Sequence, residues 1–274
     1  MKETDDKGPE KVFELLSLSR KGQDVTVRDD QYEFHSLLDS VKLCRKRRSR
    51  FRLIDSGKFD RFQLEWITEA GADFYTSDEV RRNAQELEFI NEACKKGATV
   101  MVYFHHGILE LEEGNDSLAF SGLLDLGRSG IYIHLTNKER GRDFSLLNQL
   151  AYNCRRGGSW LVYYHHGSLE AYLVELGRNG AWIHISDQSI QGEEDSELLQ
   201  DIIKSLRSAG TNLVLYLEKE LDFSLLHDIV KADAFVLFTS SLFDYRSPMK
   251  ALERESRKKK LDFRTYYLYP TFLP

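Results

Sequence analysis

From Phe51 to Thr239 the chain alternates between two rhythms of apolar residues. Short runs rich in β-branched and aromatic residues predict strands at Phe51–Asp55, Asp73–Thr76, Thr99–His105, Ile131–Thr136, Ser159–His165, Ala181–Ser186, Asn212–Glu218 and Phe235–Thr239. Between them, apolar residues recur every three or four positions. That spacing predicts helices over Phe59–Ala70, Glu79–Lys96, Phe144–Arg155, Ser196–Ser208 and Phe223–Ala232, with a last one near Pro248–Lys260. Glycines at 71, 97, 130, 180 and 210 stand where a helix should end and hand the chain to a strand.

Strand–helix alternation implies parallel strands, and eight such units suit a closed cylinder better than an open sheet. The expected fold is therefore α/β: a (β/α)8 barrel over 51–260, with internal two-strand repeats. An open doubly wound sheet is the alternative, but no G-x-G-x-x-G or Walker loop follows the first strand. Residues 1–50 read as an N-terminal helical extension: a helix over Lys11–Arg20, a polar connection Gly22–Asp30, and a second helix over Gln31–Lys46. The tail 261–274 is rich in aromatics, which predicts that it packs back on the barrel or forms a homodimer contact.

One stretch is nearly duplicated. VYFHHG at Val102–Gly107 returns as VYYHHG at Val162–Gly167, and LGRSGIYIH at Leu126–His134 returns as LGRNGAWIH at Leu176–His184. Two matching strand–helix–strand copies argue for duplication of a quarter barrel. Placing the other quarters in line sets Asp55-Ser56-Gly57 and Glu218-Lys219-Glu220 against the two HHG triplets.

Strand side chains alternate faces, so a parity chosen in one strand carries to its equivalents. Leu213, Leu215 and Leu217 form the apolar set expected to meet the helices. The same parity sends Asp55, His105, His165 and Glu218 inward at the C-terminal mouth. An interleaved layer holds Thr76, Thr136, Ser186 and Thr239, with His134 and His184 just below. Buried polar groups cost about 1–3 kcal/mol each when unpaired, so their convergence predicts a site rather than a plain core.

Composition narrows what that site can be. The net charge is -6, which gives no general attraction for nucleic acid or an anionic membrane. The basic runs at 42–52 and 254–260 come without an aromatic platform, and read as solvated helix ends. Three widely spaced cysteines form neither a disulfide framework nor a zinc ribbon. The polar N-terminus and the lack of a long apolar run lead to a cytoplasmic expectation and no membrane partner.

Three chemical readings remain open. In the first, Asp55, His105, His165 and Glu218 ligate a divalent zinc, manganese or iron ion. The chain is then a metal-dependent enzyme, a hydrolase of a small polar or phosphorylated substrate, with His134 and His184 as acid/base groups and Lys219 facing an anionic intermediate. Thr76, Thr136 and Ser186 would touch the substrate, and Thr239, Ser240 and Arg246 would hold a phosphate beyond the eighth strand. In the second, a carboxylate orients a histidine that moves protons without metal. In the third, the same groups only bond one another, and the chain is a ligand-binding or scaffold protein. Thr76-Ser77-Asp78 and Ile185-Ser186-Asp187 at strand ends resemble the PHP metallohydrolase class, which implies phosphoesterase chemistry. That class carries H-x-H at the first strand, where Ile54-Asp55-Ser56 stands here.

Overall fold

Each of the eight expected strands forms, and two more join them. The computed structural model describes residues 8–107, 109, 119–138, 143–191, 193–217, 222–238, 247–261 and 263–265. The chain divides into two units, Met1–Ile133 and His134–Pro274.

In the first unit α1 (Gly8–Arg20) leads into β1 (Val25–Arg28). Then come α2 (Phe34–Arg47), β2 (Phe51–Ile54), α3 (Arg61–Ala70), β3 (Ala72–Ser77), α4 (Ala84–Gly97), β4 (Met101–His105) and α5 (Phe120–Arg128). The strands lie in the order β1-β2-β3-β4, each parallel to the next. Val25–Arg28, expected as a polar connection, is thus a strand. Val25 and Val27 are buried while Thr26 and Arg28 are exposed, a half-buried alternation only four residues long.

β5 (Tyr132–Thr136) starts at the boundary. The second unit continues with α6 (Phe144–Gly157), β6 (Leu161–His165), α7 (Tyr172–Arg178), β7 (Trp182–Ser186), α8 (Glu193–Ala209) and β8 (Leu213–Leu217). It ends with α9 (Phe223–Lys231), β9 (Phe235–Phe238), α10 (Ser247–Lys258) and β10 (Phe263–Thr265). Strands β6 to β10 also follow chain order and are parallel. The fold class is therefore the expected α/β, with TIM-barrel-like connectivity: parallel strands in sequence order, alternating with helices. The first residues of the aromatic tail add a strand beside β9, and the rest of the tail lies outside the described residues.

Parallel neighbours joined by right-handed crossovers put the connecting helices of each unit on one side of its sheet. Residues on that side are almost fully buried. Phe51, Leu53 and Phe74 in the first unit, and Ile183, Leu213 and Leu215 in the second, are at most 1% exposed. The opposite side is more open, as the partly exposed Arg52, Ile54, Asp73 and Tyr75 show.

The repeat extends to four copies in the hydrogen bonding of helix ends. At the C-termini of α2, α4, α6 and α8, the N–H groups of Ser49, Thr99, Ser159 and Thr211 donate to the carbonyls of Cys44, Cys94, Cys154 and Leu206. Each hydroxyl donates to the same carbonyl. This satisfies carbonyls that a helix end leaves open.

Four of the five expected glycine ends have positive φ: Gly71, Gly130, Gly180 and Gly210. Gly97 is different. It is helical, and the left-handed turn falls on Ala98 at φ 57°. A Cβ at Gly97 would lie 2.2 Å from the Thr68 carbonyl oxygen, so glycine is required there for the close approach of α3 and α4.

Candidate functional site

Strand register settles which side the candidates on β2, β3, β4, β6 and β7 face. In a parallel pair, residues opposite one another point to the same side. Thr76 lies opposite Tyr103, and Leu53 opposite Phe74, which itself pairs with Met101. Asp55 and His105 continue these rows by alternation, so Asp55, Thr76, Tyr103 and His105 share the helix-covered side with Leu53 and Phe74. In the second unit His165 lies opposite Ile185, and Ile185 opposite Leu215. His165 therefore also faces the helices. The inward facing expected for Asp55, Thr76, His105 and His165 is corrected by this register.

The cause is a slip of one residue. Measured from the repeated helix-end hydrogen bonds, Asp55, His105 and His165 each lie six positions beyond Ser49, Thr99 and Ser159. Six beyond Thr211 is Leu217, not Glu218. Taking Glu218 as the equivalent transferred the wrong parity, and a one-residue slip reverses every side chain of a strand. His184 and Ser186 do face the open side, opposite Val214 and Tyr216. His134 joins them through its contact with Tyr164, which pairs with His184. Thr136, two residues on, shares its side.

On the helix side of the first unit, Asp55 is fully engaged. Its Oδ2 accepts from Thr76 Oγ1 at 2.7 Å and Arg81 Nε at 2.6 Å. Its Oδ1 accepts from Gly57 N–H at 2.9 Å and Arg81 Nη2 at 3.2 Å. Arg81 also donates to Glu86 at 2.5 Å and to the Phe59 carbonyl at 2.7 Å. Burial alone would lower the Arg81 pKa, but the paired carboxylates of Asp55 and Glu86 raise it above its usual value. This is a buried, bidentate ion pair that ties a strand end to the loop before α4.

A second carboxylate gathers two imidazoles. Asp78, just past β3, is 5% exposed. Its Oδ1 lies 2.7 Å from His106 Nδ1. Its Oδ2 accepts the backbone N–H groups of His106 at 2.9 Å and Gly107 at 2.8 Å, and lies 3.1 Å from His105 Nδ1. Desolvation pushes the Asp78 carboxyl up, but the adjacent His105 imidazole and the hydrogen bonds from His106 and Gly107 outweigh it and hold the group well below the usual carboxylate range. An ionised Asp78 fixes the His106 proton on Nδ1, leaving Nε2 as the basic nitrogen. The two rings differ in access: the side chain of His105 is 0% exposed and that of His106 is 24% exposed.

The second HHG copy is built differently. Asn137, just past β5, accepts the His166 N–H at 2.7 Å and donates to the His166 carbonyl at 2.9 Å. His165 Nε2 lies 2.8 Å from the Ser168 carbonyl, and its Nδ1 lies 3.3 Å from the Tyr172 hydroxyl. A carbonyl can only accept, so Nε2 carries a proton. Desolvation lowers the His166 pKa, and Lys138 and His165 add to the effect.

The open side of the second unit carries a row of alternating rings. His134 Nδ1 lies 3.0 Å from the Tyr164 hydroxyl, and His184 Nδ1 lies 2.8 Å from the Tyr216 hydroxyl. The Tyr164 and His184 rings stand 4.5 Å apart. Desolvation pushes both histidines down to about 3, so they are neutral at pH 7. They satisfy tyrosine hydroxyls and are poor candidates for the acid/base role first expected of them.

The remaining candidates separate. Thr76 binds Asp55, Thr136 Oγ1 accepts the Lys138 N–H at 3.1 Å, and Ser186 Oγ accepts the Gln188 N–H at 3.2 Å. Glu218, Lys219, Thr239, Ser240 and Arg246 lie outside the described residues. Among the described residues, no group of three or more His, Cys, Asp or Glu side chains is placed to hold a metal ion. Asp55 and His165 do not fit as ligands, because their lone pairs or protons are committed to Arg81, Thr76, Ser168 and Tyr172. The cysteines are buried, and no described helix is long and apolar enough to cross a membrane.

Sequence reasoning gave Asp78 no part in the site. The signal was present. An Asx residue past β1, β3 and β5 (Asp29, Asp78, Asn137) binds the backbone N–H of the residue 27, 28 or 29 positions later: Ser56, His106 or His166.

No family model and no curated protein matches the chain. Solved structures give distant likenesses. A mandelate racemase/muconate lactonizing protein from Herpetosiphon aurantiacus is 15% identical over 78% of this chain, with a TM-score of 0.36. The chain spans 53% of that protein's length. A putative fructose-1,6-biphosphate aldolase from Coccidioides immitis is 14% identical, covering 82% of this chain and 76% of that one, at a TM-score of 0.38. Deoxyribose phosphate aldolase from Aeropyrum pernix is 16% identical, covering 91% and 93%, at a TM-score of 0.34. Likeness at this level carries no argument about chemistry.

Proposed function

We propose that the chain is an acid–base enzyme acting on a small polar or phosphorylated substrate, with His106 as the proton-transferring group and Asp78 as its orienter. The observation that carries the reading is the 2.7 Å contact between Asp78 Oδ1 and His106 Nδ1 at the C-terminal end of the strands, on a ring that keeps partial solvent access. His106 Nε2 takes a proton from a substrate hydroxyl or from water. The imidazolium formed is stabilised by Asp78, which stays ionised because its own hydrogen bonds hold it so. Oδ2 and two backbone N–H groups keep the carboxylate from turning. A metal-dependent hydrolase reading would require Arg81 to leave Asp55, so the metal-free form is preferred.

The test is turnover on a panel of carboxylic esters, phosphomonoesters and small hydroxy acids, with and without chelator. His106→Gln and Asp78→Asn should each lower kcat/KM by about 10²–10⁴-fold with the fold intact. Turnover unchanged in His106→Gln, turnover abolished by chelator, or no turnover on any member overturns the proposal.

A further inference from the structure

Helix α3 buries one stripe and exposes another that a solitary helix has no reason to carry. Leu64, Ile67 and Thr68 are fully buried. On the outer stripe, Phe62 is 60% exposed, Trp66 is 63% exposed, and Glu69 follows at the next turn. Positions i, i+4 and i+7 lie on one helical face.

The patch continues onto both neighbouring helices. The Phe34 ring of α2 stands 6.1 Å from Trp66. The Arg61 guanidinium lies 4.4 Å from the Phe62 ring and 4.6 Å from the Phe89 ring of α4, which is itself 45% exposed. Arg61 is further held by Glu65 at 3.0 Å. Scattered exposed apolar residues need no explanation, but a contiguous aromatic patch around an immobilised arginine has the composition of an interface core.

We infer that this face of α3 pairs with the same face of a second copy of the chain, about a two-fold axis. Charge is the first reason. α3 carries Arg61 at its N-terminal end and an exposed Glu69 near its C-terminal end. An antiparallel copy sets each Arg61 against Glu69 of the partner subunit and opposes the helix dipoles. Such self-complementarity is what an isologous contact requires.

Area is the second reason. Aromatic side chains present roughly 150–250 Å² each, so three of them about half exposed supply roughly 300 Å² of apolar surface. A stable interface takes about 800 Å² from each partner, a little over half of it apolar. The patch thus provides most of the apolar share, and its flanking helices supply the polar rim. Rings already fixed by Arg61 and Phe34 lose little freedom on docking.

Sedimentation velocity of the full chain across the micromolar range tests this. The wild type should show a concentration-dependent dimer. Trp66→Lys and Phe62→Glu should each be monomeric throughout, with unchanged circular dichroism. Should either variant misfold, the milder Glu69→Lys keeps the test open: it sets like charges against Arg61 and should raise the dimer dissociation constant about tenfold. Tryptophan emission should shift to the red on dilution in the wild type and not in Trp66→Phe. A wild-type chain that stays monomeric, or a dimer that survives Trp66→Lys and Phe62→Glu, overturns the inference.

Discussion

The segments Val102–Gly107 and Val162–Gly167 differ by one ring hydroxyl, Phe104 against Tyr164, yet their histidines live in different electrostatic worlds. In the first, a buried carboxylate reaches both imidazoles and two backbone N–H groups. In the second, a neutral amide clamps only the backbone of His166, while Ser168 and Tyr172 occupy His165. The deciding residue lies outside the repeated motif, one strand earlier: Asp78 against Asn137. Both perform the same mechanical task, holding the next strand's first loop residue. Only Asp78 adds a charge. Asp29 does the mechanical task a third time, on Ser56, accepting from its backbone N–H and its hydroxyl. The clamp is thus the inherited part of the repeat, and the carboxylate beside a histidine pair belongs to one of these copies.

Removing each clamp should separate the two regions most sharply. Asp78→Ala leaves two N–H groups and two imidazoles without their carboxylate, and should cost about 3–5 kcal/mol. Asn137→Ala removes two neutral bonds and should cost roughly 1–3 kcal/mol. Urea denaturation measures both, and equal losses would erase the distinction.

Asn137→Asp asks whether the second copy can be converted. The carboxylate still accepts from His166 N–H but faces the His166 carbonyl with no donor. The expected cost at neutral pH is about 1–2 kcal/mol. It should shrink as pH falls and the new carboxyl protonates; a cost that grows on acidification would contradict this.

The two regions should also differ in acid sensitivity. His134 and His184 have folded values near 3, below the ordinary 6.5. The unfolded chain therefore binds more protons between those limits. Their contribution is fully present above pH 6.5 and declines as pH falls toward 3. Asp78 is also depressed, from an ordinary 3.8. Its contribution is present above that value and is lost only at lower pH. Hydrogen exchange at a series of pH values should show β5–β8 losing protection before β3 and β4 do. Simultaneous loss would mean the ring row is not what acid attacks.

Much of the fold was legible because strand–helix alternation is written in apolar spacing, and all eight anticipated strands appear within a few residues of their expected ends. β1 was hidden because Val25 and Val27 give only two apolar positions between polar neighbours. Facing was harder. β4, β6 and β8 are apolar on both sides, so parity could not be read within them. It was carried instead from the leucines of β8 through an alignment one residue late. The assumption that helix-facing positions must be apolar failed at Asp55, His105 and His165. There the helix layer gives way to loops that bring Arg81, Asp78 and the Ser168 carbonyl within reach. Asp78, noted only within the Thr76-Ser77-Asp78 strand end, was not matched to the histidines because its role depends on a pairing between neighbouring strands, which spacing along one chain shows only when the Asx positions are compared across copies.

Cys44, Cys94 and Cys154 sit at the same point of three successive repeats, each buried, each beneath a hydrogen-bonded helix end. Burial pushes the Cys94 thiol up to about 12, which makes it a poor nucleophile while its helix end stays closed. Alkylation therefore waits for local opening. The chain carries three native reporters, one in each of three repeats, and timed labelling followed by mass spectrometry would rank how often those three breathe without altering a single residue.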